Sequence, residues 1–169
     1  MNDEFYKYFL LLFIIFILQI TVFSFQPVAG VKPDLLLVVV IINGLLRGIN
    51  KGAKLGLGAG LLQDMFFSGI PGKFTFIKFM LGSIMGTFTG KFFERNFLFP
   101  FFFTFIATIF QEFILLFFSA GTFLGINYFS VIREIIFPSA LYNGILGLIL
   151  YPIFYKILKI GDKRLWIKN

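Results

Sequence analysis

The sequence predicts an all-α polytopic membrane protein, one bundle of about six transmembrane helices. Three observations carry this. Of 169 residues, 59% are hydrophobic and only 14% are charged, whereas a soluble domain averages about 45–50% apolar and about 25% charged. The apolar residues gather into long runs separated by short basic loops. Neither Cys nor His occurs anywhere in the chain, which removes disulfides, thiolate and imidazole catalysis and the usual zinc and iron–sulfur ligands. Phe supplies 28 residues; lipid accepts it wherever it accepts Leu, so the count alone carries no function.

The apolar runs are 7–25, 33–46, 52–68, 74–90, 97–120 and 135–158. A membrane span needs about 20 residues at 1.5 Å each, which the first, fifth and sixth runs supply readily. The second has 14 residues and the third contains Gln63 and Asp64, so either reads also as a broken or re-entrant element sheltered by its neighbours. The first run opens on Asp3 and Glu4 against Lys7, and no small-x-small site precedes Gln26. It therefore reads as an uncleaved helix rather than a signal peptide.

Basic residues set the orientation. With six alternating spans, eleven Lys and Arg fall on the side of the two termini and four on the other, which places both termini in the cytoplasm. Five spans would turn the basic tail (159–169) outward. That tail reads as a topology signal, or as a contact with anionic lipid. The loops between spans leave no room for a water-soluble domain. Gly56, Gly58 and Gly60 lie within an apolar run without a neighbouring Lys-Ser/Thr, so they make no phosphate loop. Nothing suggests a nucleic-acid partner, a cofactor or a metal.

Glycine recurs every fourth residue at Gly44, Gly48, Gly52, Gly56 and Gly60, and again at Gly82, Gly86 and Gly90. Such spacing clears one helix face for a close backbone approach. The face either packs spans three and four together or receives a partner's helix.

Polar residues recur at similar depth on different spans. With the N-terminus inside, Gln19, Asp34, Asp64, Lys78, Gln111, Glu112 and Asn143 all lie within roughly 12 Å of the outer boundary of a ~30 Å core. Asp34 follows Pro33 at a helix start, where a carboxylate suits the positive helix end. Asp64 stands near the negative end of its helix, so it needs a cation or several donors, or it must take a proton. Lys78 is the nearest partner by depth. Glu112 lies deeper still and faces the interior or another subunit. These acids either pair structurally or form a binding site. With no histidine to activate Ser139 and no metal cluster, the chain reads as non-enzymatic.

Several stretches then carry a resemblance: Lys32-Pro33-Asp34-Leu35-Leu36-Leu37-Val38; Lys51-Gly52-Ala53 continuing through Gly56 and Gly60 to Gln63-Asp64; Phe93-Glu94-Arg95; and Pro138-Ser139-Ala140-Leu141-Tyr142-Asn143. In this order the chain resembles the MreD family of rod shape-determining membrane proteins. The resemblance implies a non-enzymatic scaffold subunit of the bacterial wall-elongation complex in the cytoplasmic (inner) membrane, supporting peptidoglycan synthesis and cell shape. It implies binding to a bitopic MreC-like protein and, through it, support of the penicillin-binding transpeptidase, a RodA-type glycosyltransferase and MreB. In helix count and size the family is similar to the substrate-binding S components of energy-coupling-factor transporters. A vitamin-binding subunit is thus the alternative function. Asp34, Asp64, Lys78, Glu112, Tyr142 and Asn143 are the candidates for a polar partner or ligand site.

Overall fold

A computed structural model describes residues 3–25, 31–67, 69–90, 98–119 and 127–161. Phe93-Glu94-Arg95 and residues 162–169 of the basic tail lie outside them. The described residues are helical almost throughout. The elements are α1 (Asp3–Phe25), α2 (Leu35–Arg47), α3 (Ile49–Phe67), α4 (Lys73–Gly86) and α5 (Phe99–Ser119), followed by a last rod. That rod joins α6 (Tyr128–Val131), a π segment (Ile132–Ile136) and α7 (Phe137–Gly161).

The short α2 is the axis of the fold. Its sequence is apolar on every side, and an all-round apolar helix is a buried one. Leu36 to Ile42 are at most 1% exposed, and α1, α3, α4, α5 and α7 all pack against α2. Three apolar clusters divide its surface. Leu36, Val39 and Val40 meet Leu12 and Phe16 of α1. Leu37, Ile41 and Leu45 meet Ile77, Leu81 and Met85 of α4, and Val38 and Ile42 meet Tyr151 of α7. At 13 residues, or about 20 Å, α2 is a core element wrapped by longer neighbours.

Gly48 ends α2 with φ +88°, a left-handed conformation that costs other residues strain, and α3 starts at the next residue. The four-residue glycine spacing serves the contact between α3 and α4, the most extensive among the described helices. A Cβ on Gly52 would meet the carbonyl oxygen of Gly82, one on Gly56 the carbonyl of Lys78, and one on Gly60 the backbone of Thr75. This register makes α3 and α4 antiparallel at backbone contact. Gly44 of α2 and Gly86 of α4 join the same seam, against Gly82 and Ile49 respectively. Gly90 departs from the expected stripe. It lies beyond the end of α4, and a Cβ there would meet nothing within 4 Å among the described residues.

The outward faces are apolar. On α5, Phe102, Ile106, Phe110, Phe113 and Phe117 are exposed; on α7, Phe137, Leu141, Ile145, Ile149 and Ile153 are exposed at every fourth position. Phe99–Phe118 and Tyr128–Lys156 are long and apolar enough to cross a membrane. In water, ridges of this size would be an aggregation liability.

Candidate functional site

The polar residues gather at one end of the bundle, around the buried start of α2. The first N–H groups of any helix lack intrahelical acceptors, and here the residues that carry them are buried. Side chains accept from them. Asp34 Oδ1 accepts from Leu37 N (2.9 Å), Gln19 Oε1 of α1 accepts from Leu36 N (3.0 Å), and Asn143 Oδ1 of α7 accepts from Asp34 N (2.9 Å). Asn143 Nδ2 in turn donates to Thr108 Oγ1 of α5 (3.2 Å), whose hydroxyl donates to Thr104 O (2.8 Å).

The other carboxylate oxygen of Asp34 carries the ion pair. Lys78 Nζ of α4 donates to Asp34 Oδ2 at 2.5 Å, and the lysine side chain is completely buried. Gln111 of α5 closes a triangle: its Nε2 donates to Asp34 Oδ2 (3.0 Å) and its Oε1 accepts from Lys78 Nζ (3.3 Å). A buried charge is tolerated where it is paired and its remaining bonding capacity is met. The charge is paired, and the Gln111 amide takes a second of the three ammonium donors, so α2, α4 and α5 are tied at one point.

Asp64 corrects the pairing expected from depth. Lys78 turns to Asp34, and Asp64 caps α4 instead. Its Oδ1 accepts from Phe74 N (3.1 Å), and its Oδ2 accepts from Thr75 N (2.9 Å) and Thr75 Oγ1 (2.6 Å). The local cap position is Gly72, which has no side chain to offer. A carboxylate from α3 supplies what is missing, and it meets the positive end of α4. The unfavourable dipole at its own helix end is thereby answered by its neighbour.

Glu112 is half-buried on α5 and stands beside this cluster. Tyr142 is half-buried on α7 next to Asn143 and is not among the residues around the adjoining cleft. That cleft, about 330 Å³, is bordered by Gln19, Lys32, Asp34, Gln63, Gln111 and Glu112. Pro33, Phe67, Phe74 and Leu115 form its apolar walls. Gln63, Thr75, Thr104 and Thr108 had not stood out as site residues. A readable sign was there for two of them: Thr104, Thr108 and Gln111 share one face of α5 by their spacing. Among the described residues no three acidic groups are placed to hold a metal.

A family model described as "rod shape-determining protein MreD" matches residues 3–160. The chain belongs to the MreD family. No curated protein and no solved structure matches it. Membership gives a role in rod shape determination as a non-enzymatic membrane protein of the shape complex. The same membership and the membrane-length apolar helices point to the cytoplasmic membrane.

Proposed function

We propose that this MreD-family chain is a rigid membrane scaffold that binds the transmembrane segment of a bitopic MreC-like protein. Through that partner it supports the penicillin-binding transpeptidase, the RodA-type glycosyltransferase and MreB. In this reading the chain crosses the membrane six times with both termini in the cytoplasm, as the eleven-to-four distribution of basic residues favours. The polar cluster then lies toward the outer face.

The observation that carries the reading is how the interior is spent. Asp34, Lys78, Gln111 and Asn143 are hydrogen-bonded to one another, and Asp64 is committed to α4. The glycine faces are consumed between α3, α4 and α2. A vitamin-binding subunit calls for a closed pocket with convergent unengaged groups, whereas most of these are engaged in holding helices together. Recognition of a partner helix falls to the outward apolar faces, where packing and not polarity drives helix association in lipid.

The test is copurification of the full chain with a tagged MreC-like protein in mild detergent, followed by mass spectrometry of the small-molecule fraction. A scaffold is recovered with the partner and without a tightly held vitamin-like compound. Recovery without the partner, or with such a compound in equal amount, overturns the reading.

A further inference from the structure

The cleft beside the polar cluster carries charge outside the Asp34–Lys78 pair. Asp34 and Lys78 neutralise each other. That leaves Glu112 as the half-buried acid of the cleft and Lys32 as an exposed cation at its border. Between the helices stands Gln63, only 7% exposed, whose Oε1 has no hydrogen-bond partner among the described residues. A buried amide oxygen without a donor is costly, and native structures rarely leave one unmet. Inside the cleft, then, the unmet acceptor is the Gln63 oxygen, beside the negative charge of Glu112, while the border offers a positive charge.

A ligand that meets both needs brings N–H donors inward and an anion outward, joined by a short tether. The walls add a third condition. Phe67 is 51% exposed and follows the exposed Met65 and Phe66 at the end of α3, and Leu115 precedes the exposed Phe117 on α5. Apolar surface thus continues from the cleft onto the flank of the bundle, where a soluble zwitterion has nothing to place. We propose that this cleft binds the headgroup of an aminophospholipid. The primary ammonium donates to Glu112 and the Gln63 amide, the phosphate meets Lys32, and the acyl chains lie along the apolar end of α3. A quaternary ammonium has no N–H to donate, and a glycerol headgroup has no cation. The site thereby selects ethanolamine phospholipid over choline and glycerol phospholipids. It does not depend on the scaffold reading, because no partner protein enters it.

The experiment is native mass spectrometry of the full chain in detergent, titrated separately with phosphatidylethanolamine, phosphatidylcholine and phosphatidylglycerol of matched acyl chains. Phosphatidylethanolamine is expected to bind about tenfold more tightly than the other two, the worth of one charge-assisted hydrogen bond. Glu112→Gln is expected to abolish that preference and Gln63→Leu to reduce it, with size-exclusion profiles confirming folded protein. Glu134→Gln, an exposed acid on the π segment, is expected to leave it unchanged. Equal binding of the three lipids, or an undiminished preference in Glu112→Gln, overturns the site. Displacement by free phosphoethanolamine at equal concentration overturns the lipid as its source. Displacement by an MreC-like partner in a Glu112-dependent manner reassigns the cleft to a basic side chain and overturns the proposal as well. Partner recovery is a separate readout, so the scaffold and the lipid site can fail independently.

Discussion

Lys78 Nζ on α4 and Asp34 Oδ2 at the cap of α2 are 2.5 Å apart, although 44 positions separate them in the chain. The lysine side chain is wholly enclosed, and the carboxylate side chain is 12% exposed. Asp34 has two jobs on its two oxygens. Oδ1 closes the first turn of α2, and Oδ2 holds Lys78 and Gln111. One residue therefore fixes both where the central helix begins and which helices stand around that point.

Removing one partner strands the other. Lys78→Met is expected to destabilise the folded protein by about 3–5 kcal/mol, the cost typical of breaking a buried pair from one side. Asp34→Asn keeps a side-chain oxygen for Leu37 N but leaves the enclosed lysine without its counter-charge, and is expected to cost a similar amount. The double variant Asp34→Asn/Lys78→Met is expected to recover most of the loss, because no unpaired charge remains. Thermal unfolding of the three variants in one detergent decides it. A double variant that loses the sum of the two single losses would mean that the pair is not coupled.

The all-helical class was legible because a membrane chain writes it in composition: apolar runs, few charges, short loops. The meeting of polar groups from different helices was legible from depth, since Gln111 and Asn143 fall near the level of Asp34 and Lys78 once the helices alternate. Which acid takes the lysine was not. Depth is a single coordinate, and Asp34 and Asp64 both satisfy it; the choice between them is made by rotation about the helix axes. That rotation is set by the glycine seam. With Gly56 against Lys78 and Gly60 against Thr75, Asp64 faces the start of α4, and Lys78 is left for α2. The empty cap at Gly72 was the overlooked sign, a glycine where α4 needed an acceptor.

The seam itself is testable by adding one methyl group. Gly56→Ala places a Cβ against the backbone carbonyl of Lys78, and Gly52→Ala places one against that of Gly82. Backbone cannot yield as a side chain does, so each is expected to cost about 1–3 kcal/mol, in the range of overpacked cores. Gly69→Ala is the control, for a Cβ there meets nothing within 4 Å among the described residues. Fluorescence-detected size exclusion after stepped heating would show the two seam variants failing first. Equal survival of Gly56→Ala and Gly69→Ala would refute backbone contact between α3 and α4.

Asp64 should behave as a cap. Asp64→Ala removes the acceptors of Phe74 N, Thr75 N and the Thr75 hydroxyl, and a loss of about 0.5–2 kcal/mol is expected. Asp64→Asn keeps one oxygen and is expected to fall between the two. Thr75→Val removes only the hydroxyl bond and should be mildest. Hydrogen exchange at the first turn of α4 is the direct measurement. Protection unchanged in Asp64→Ala would place the role of the carboxylate elsewhere.

Asn143 joins α7 to the start of α2, and its replacement separates two kinds of loss. Asn143→Leu leaves the buried Asp34 N–H without its acceptor and Thr108 without a donor. The expected cost is about 1–3 kcal/mol for the stranded group. Asn143→Asp keeps the acceptor for Asp34 N–H but adds a charge beside the Asp34 carboxylate, so it is expected to be at least as damaging as leucine. Electrostatic repulsion and a missing hydrogen bond thus predict different orders for the two variants. If Asn143→Asp unfolds later than Asn143→Leu, acceptor geometry outweighs charge at this point. If it unfolds earlier, the net charge of the cluster is what the buried lysine is there to balance.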